Sequence, residues 1–336
     1  YHSVGNVHSR VRRELAKQGV TNYDKDIINI GFWPCGDRDG NPFVTSDITL
    51  ETARKLRHKI FICYFRDAKK LRKRMTFTGV DQLAEKVYNK LSATIFNTKG
   101  RRYQAAQEII DDLEAIKAYV SENHQGLFVD VVDDFIVKVK LFGFHFTNMD
   151  IRQDSRIHTQ VVSEIMEAAK AGKLGNSIQG DIPADYNGLS ENEQINVLTQ
   201  LEGKIDPDLF ETEIVRETLK SFYVMKTIQD ENGETGCHRY IISNTQSSKN
   251  MFEVYALARI CGWNKDEMTF DIVPLLETVE DLANGEDIFN LMYNHPVYVE
   301  HIKKRNNRQY VMLGFSDGTK DGGYLKANWS IFTAKE

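Results

Sequence analysis

Phe144-His145-Phe146-Thr147-Asn148-Met149-Asp150-Ile151 is short, alternates bulky positions, and runs straight into a helical pattern from Ser155 to Ala171. A strand followed at once by a helix is the reading. The same grammar recurs at Arg239-Tyr240-Ile241-Ile242-Ser243, followed by a helix from about Ser248 to Gly262, and at Phe270-Asp271-Ile272-Val273-Pro274-Leu275-Leu276, followed by helices through Lys304. A fourth unit is Gln309-Tyr310-Val311-Met312-Leu313-Gly314-Phe315, then a loop and a helix from about Tyr324. Apolar strands alternating with helices predict a parallel sheet covered by helices. An all-helical insertion at about 190–230 separates the first two units, and Ser190 with Glu193 there forms a capping-box pattern.

On the N-terminal side the chain reads as helix after helix. Thr45 and Ser46 can cap a long segment in which Leu56, Ile60, Tyr64, Ala68, Leu71 and Met75 recur at helical spacing, until Gly79 interrupts it. Further helices are expected at about 80–96, 101–124 and 127–142. The fold class is therefore mainly α with α/β. Its organisation is a helical region at 1–143 and a β/α region at 144–336, the latter interrupted by a helical insertion at about 173–236.

Composition narrows the function classes. The 336 residues carry 43 Lys and Arg against 48 Asp and Glu, a net charge of −5, with 41% hydrophobic residues. No window approaches the ~18 uninterrupted apolar residues that a spanning helix needs. The N-terminal residues carry no secretion signal pattern, so a cytoplasmic location is the expectation. Cys35, Cys63, Cys237 and Cys261 are far apart without a CxxC pair, which predicts reduced thiols rather than a zinc site or disulfide framework. The acidic balance argues against nucleic acid, and the basic run Lys69-Lys70-Leu71-Arg72-Lys73-Arg74 reads as a solvated helix face without interleaved aromatics.

Functional side chains in parallel β/α folds cluster at the carboxyl ends of strands, where the βα loops ring one mouth of the sheet. The residues placed there are Asp150, Arg152, Gln153 and Asp154; Ser243, Asn244 and Gln246; Glu277; and Ser316, Asp317, Lys320 and Asp321. Glu277 and Asp317 could give two hard oxygen ligands to a magnesium-like ion. Arg152 offers a planar fork for a phosphate or carboxylate. Lys320 adds a cation on a glycine-rich loop. Taken singly, each has a bland alternative: Glu277 could cap the following helix, and Arg152 could pair with Asp150 or Asp154. The string Trp33-Pro34-Cys35-Gly36-Asp37-Arg38-Asp39-Gly40-Asn41-Pro42 reads as a tight, self-paired loop before the long helix. No HExxH pair and no GxSxG elbow occurs, so histidine-metal and serine-hydrolase readings fall away.

Trp33 through Thr45 (WPCGDRDGNPFVT), Met149 through Ser155 (MDIRQDS), Val273 through Leu282 (VPLLETVEDL) and Val311 through Gly323 (VMLGFSDGTKDGG) together resemble phosphoenolpyruvate carboxylase, in that family's order along nearly the whole chain. The resemblance implies a carboxy-lyase that joins bicarbonate to phosphoenolpyruvate. Its products are oxaloacetate and phosphate, a carbon-fixing supply to the tricarboxylic acid cycle. It also implies Mg2+ or Mn2+, a homo-oligomer, and a largely helical protein around a (β/α)8 TIM barrel. Carried over by motif, Glu277 and Asp317 match metal ligands, Arg152 a substrate-phosphate contact, Lys320 an active-site lysine, and Trp33 a tryptophan lining the substrate pocket. The family's upstream TAHPTE string and downstream GRGG string are absent from these residues. The resemblance therefore implies an internal fragment holding half the barrel, inactive by itself. Another magnesium-dependent barrel enzyme acting on phosphoenolpyruvate or a pyruvate enolate is the runner-up, and a non-catalytic ligand-binding or assembly module is the alternative outside enzymes.

Overall fold

Ile60, Tyr64, Ala68, Leu71 and Met75 are all buried on one stripe that runs along and just past a 29-residue helix, α2, at Ser46–Arg74. The computed structural model describes residues 1–20 and 28–336. They form two compact units: Tyr1–Phe32, Glu51–Asn148 and Ile228–Gly236 in one, and Trp33–Leu50, Met149–Thr227 and Cys237–Glu336 in the other.

The first unit is helical. Around α2 stand α1 (His2–Lys17), α3 (Val80–Phe96), α4 (Ala106–Asn123) and α5 (Val129–Phe142), with a two-residue strand, β1, at Gly31–Phe32. Val87 and Leu91 of α3, Leu113 and Ile116 of α4, and Phe135 and Val139 of α5 complete one apolar core. Burying each such side chain contributes about 1.5–3 kcal/mol. α2 ends before Gly79, whose φ of +88° and close approach to the Tyr119 ring leave no room for a Cβ. α4 and α5 begin later than their sequence suggests. Tyr103 is drawn out of the helix by its N–H donating to Thr94 and its hydroxyl to Asp112, and Gln125, Gly126 and Phe128 all take positive φ before α5.

In the second unit a parallel sheet is built from β2 (Asn148–Asp154), β5 (Arg239–Ser243), β6 (Asp271–Leu276) and β7 (Met312–Leu313), neighbours in that order. An antiparallel pair, β3 (Ile178–Gln179) and β4 (Glu202–Gly203), lies in the insertion. Asp150 is in register with Arg239, Arg239 with Asp271, and Leu275 with Met312. An isolated parallel bridge between Asp37 and Arg152 continues the sheet on the outer side of β2. Every residue of β6 is buried, as expected for a parallel strand covered on both faces. The helices are α6 (Ser155–Lys170), α7 (Glu191–Gln200), α8 (Glu213–Asn232, through Thr227 in this unit), α9 (Lys249–Ile260), α10 (Val279–Ala283), α11 (Gly285–Asn294), α12 (Pro296–Lys304) and α13 (Phe315–Lys335). The architecture is mainly α, with half the strand complement of a (β/α)8 barrel.

Three expectations shift. The first strand lies at Asn148–Asp154 rather than 144–151: Phe144 is buried in the helical core, and Phe146 takes a φ of +68° with its N–H bonded back to Phe142. Arg152 therefore sits within the strand, not after it. The insertion is not all helical, since β3 and β4 pair within it, although the Ser190–Glu193 capping box is formed. The fourth strand shrinks to two residues, and the glycine-rich stretch after it is helical: α13 starts at Phe315 and breaks only at Gly323, where φ is +77°. Among the described residues no helix is long and apolar enough to cross a membrane.

Candidate active site

The turn at Trp33–Asp37 is laid against β2. Its Trp33 carbonyl accepts the N–H groups of Gly36 and Asp37, while Arg152 N–H donates to Gly36 and Arg38 N–H to Arg152, at 3.0 and 2.9 Å. A Cβ on Gly36 would stand 2.1 Å from the Asp150 carbonyl oxygen, so only glycine lets the turn lie this close.

This packing gives Arg152 its surroundings. Its Nε and one terminal nitrogen donate to the two carboxylate oxygens of Asp37 at 2.7 and 2.8 Å, and Asp39 lies 3.7 Å away. Its guanidinium carbon is 4.8 Å from the centroid of the Trp33 ring. Half-burial pulls the guanidinium's pKa down, but the hydrogen bond and charge of Asp37, with Asp39 and Glu277 beyond, raise it on balance. Two sequence expectations are corrected here. Arg152 pairs with neither Asp150 nor Asp154: Asp150 accepts the Trp33 indole N–H at 3.0 Å and faces Arg239, while Asp154 is taken by Arg156. Nor is the loop self-paired, because Arg38 reaches out to the Glu217 backbone carbonyl and carboxylate at 2.7 and 3.0 Å. Glu217 is in turn held by the Ser46 N–H and hydroxyl at the start of α2.

Glu277 follows β6 directly. Capping falls instead to Thr278, whose hydroxyl accepts the Asp281 N–H while Asp281 accepts the Thr278 N–H. The Glu277 side chain is thereby released toward the strand ends, where its Oε2 accepts the Asn244 N–H at 2.6 Å. Its carboxyl pKa is raised, first by desolvation and then by the charges of Asp317 and Asp39, against the Asn244 hydrogen bond and Arg152. Asp317 and Lys320 occur one turn apart on α13, paired at 2.8 Å and largely exposed. Asp321 fastens the same turn by accepting the Val279 N–H.

Among the described residues no group of three or more His, Cys, Asp or Glu side chains closes into a cage. A hard divalent cation takes one or two carboxylates and fills its other positions with water and ligand oxygens, a demand that Glu277 and Asp317 could meet. Beyond desolvation, the charge of Asp317 also raises the Glu277 carboxyl pKa, a like-charge effect that a cation held by both would relieve.

Of the residues named from the sequence, Arg152 and Trp33 are in direct contact and Lys320 pairs with Asp317, while the charges of Asp317 and Arg152 act in opposite directions on the Glu277 carboxyl pKa. The sequence places Asp150 among the strand-end residues without giving it a role, and does not point to Asp37, Asp39 or Arg239 as site residues. The available signal for Asp150 was its spacing of two from Arg152, which puts both on one strand face. A family model described as Phosphoenolpyruvate carboxylase matches residues 1–95 and 81–336, which together span the chain.

Proposed function

The chain belongs to the phosphoenolpyruvate carboxylase family, and from that premise we propose that its second unit carries the cation and phosphate part of a site that forms oxaloacetate and phosphate from phosphoenolpyruvate and bicarbonate. The observation that supports this reading is the Arg152 fork, oriented by Asp37 at 2.7 and 2.8 Å beside the Trp33 ring, on a sheet whose strand β6 leads directly into Glu277.

In this reading Arg152 binds the phosphoryl group. Asp37 holds two of its nitrogens, which orients the fork and leaves the remaining terminal nitrogen to reach an anion. Bicarbonate attacks phosphorus, the bond to the enol oxygen breaks, and carboxyphosphate and the enolate of pyruvate result. Carboxyphosphate then yields phosphate and carbon dioxide, which the enolate carbon takes up. Glu277 and Asp317 would hold Mg2+ or Mn2+, which when bound supplies Lewis-acid stabilisation of the growing negative charge. Lys320, one turn along from Asp317, adds a positive charge to the same field. Trp33 packs against the apolar cluster of Ile241, Val273, Leu275 and Met312 and makes a wall that keeps water from the enolate.

These 336 residues contain neither a TAHPTE nor a GRGG string, so in this proposal they supply part of the catalytic apparatus and turn over only within a longer protein. A cytoplasmic homo-oligomer feeding oxaloacetate to the tricarboxylic acid cycle belongs to the same reading. The test is oxaloacetate formation from phosphoenolpyruvate and Mg2+ with and without bicarbonate. Dependence on bicarbonate supports the carboxylase. Consumption of phosphoenolpyruvate that ignores bicarbonate assigns the site to other enolate chemistry.

A further inference from the structure

The Trp33 indole joins two side chains of one strand. Asp150 and Arg152 stand two residues apart on β2 and project from the same face. The indole N–H donates to Asp150 Oδ2 at 3.0 Å, while the ring face lies against the Arg152 guanidinium at 4.8 Å. Asp150 is only 4% exposed, and its second oxygen has no hydrogen-bond partner among the described residues, facing Arg239 Nε at a loose 3.4 Å. Burying a carboxylate with one oxygen so poorly satisfied is costly, and a neutral side chain would serve packing better. The charge therefore has another use.

The geometry points to Asp150 as a positioning residue that locks the Trp33 indole beside Arg152, so that the ring face and the guanidinium fork address one ligand. Taking that ligand to be phosphoenolpyruvate rests on the proposed function. A hydrogen bond to an ionised acceptor is stronger and more directional than a neutral one, and it stops the indole turning about its own bonds. Negative charge at the N–H edge also enriches the ring, which strengthens its attraction for the guanidinium. Burial pushes the Asp150 carboxyl pKa up, while Arg239, in register with it on β5, and the Trp33 N–H draw it back toward the ionised form; the Arg239 guanidinium lies over the Tyr310 ring at 5.8 Å.

Ultraviolet resonance Raman spectra of the wild-type protein minus Trp33→Phe isolate the hydrogen-bonding state of this one indole N–H. A strongly bonded N–H is expected, returning toward the weakly bonded position in Asp150→Asn. A wild-type difference spectrum of a free indole N–H overturns the proposal, even should Asp150→Asn fail to fold. Binding of phosphoenolpyruvate with Mg2+, without bicarbonate, provides the second arm. Asp150→Asn and Trp33→Phe should each weaken it by about tenfold, and the double variant should match Trp33→Phe within about twofold, as residues acting through one contact do. Losses that multiply to about a hundredfold contradict the proposal. Absence of phosphoenolpyruvate binding in the wild-type protein counts against the proposed function alone, because the Raman arm needs no ligand.

Discussion

Arg152 and Asp37, 115 positions apart in sequence, form a two-point ion pair at 2.7 and 2.8 Å, with their backbones joined as a parallel bridge. The pair is only partly exposed, at 18% and 28% of the two side chains. Its geometry matches the fork-to-fork arrangement in which guanidinium and carboxylate orient each other. Asp37→Ala should therefore lower stability by about 1–3 kcal/mol, the usual cost of leaving a half-buried partner unsatisfied. It should also weaken phosphoenolpyruvate binding, because the fork loses its fixed plane. Urea denaturation and ligand titration check both, and an unchanged midpoint with unchanged affinity contradicts the assigned role.

Glu277→Gln and Asp317→Asn should lower carboxylation by orders of magnitude in an active protein carrying this sequence, with little change in thermal stability. The amide oxygen introduced by Glu277→Gln can still accept the Asn244 N–H, so the local backbone is preserved. Binding of Mn2+, followed by its electron paramagnetic resonance signal, should weaken in both variants. Wild-type turnover and Mn2+ binding in both would remove the assignment of these carboxylates.

Gly36→Ala tests the turn on which Trp33 and Asp37 are carried. The new methyl meets the Asp150 carbonyl oxygen, a rigid backbone atom, at 2.1 Å. The turn must lift from β2, at a cost of about 1–3 kcal/mol for overpacking. Differential scanning calorimetry should show the loss, whereas Gly172→Ala, with nothing within 4 Å but a φ of +71°, should show backbone strain without displacement of the Trp33 indole. Equal Trp33 signals in the two variants would contradict the role given to Gly36.

Acid sensitivity should come partly from two buried histidines. Burial lowers the pKa of His158 to about 3, partly offset by Asp154, and that of His301 to about 4, with Arg305 lowering and Asp271 raising it. Both start from an ordinary value of 6.5, so between pH 6.5 and these values the unfolded chain binds more protons than the folded one. Stability is then full above about pH 6.5 and falls as pH drops, by up to about 1.4 kcal/mol per pH unit for each histidine. His158→Gln should flatten this dependence. A stability profile as steep as that of the wild-type protein would contradict the assignment.

The sequence made some elements plain and hid others for physical reasons. Tyr240, Ile241 and Ile242 are apolar, bounded by polar residues and buried, so β5 is legible as a strand. Phe144 and Phe146 imitate the same alternation, but Phe144 belongs to the helical core, a tertiary fact that no local pattern carries. The glycines at 318 and 322 suggest a loop. Helical hydrogen bonding carries them nonetheless, aided by Thr319 bonding back to the Phe315 carbonyl and by the Asp317–Lys320 pair. For the candidate site, strand grammar placed Arg152 and Glu277 near one mouth. Partner choice was not legible, because the Asp37–Arg152 and Arg38–Glu217 pairs span 115 and 179 positions and depend on how the turn docks.

The most direct measurement is bicarbonate-dependent oxaloacetate formation from phosphoenolpyruvate and Mg2+, made on these 336 residues and on a longer protein that contains them. The account predicts turnover by the longer protein, lost without bicarbonate, and none by the 336 residues alone. A longer protein that binds phosphoenolpyruvate and Mg2+ yet forms no oxaloacetate would contradict it, leaving family membership and fold without the carboxylation.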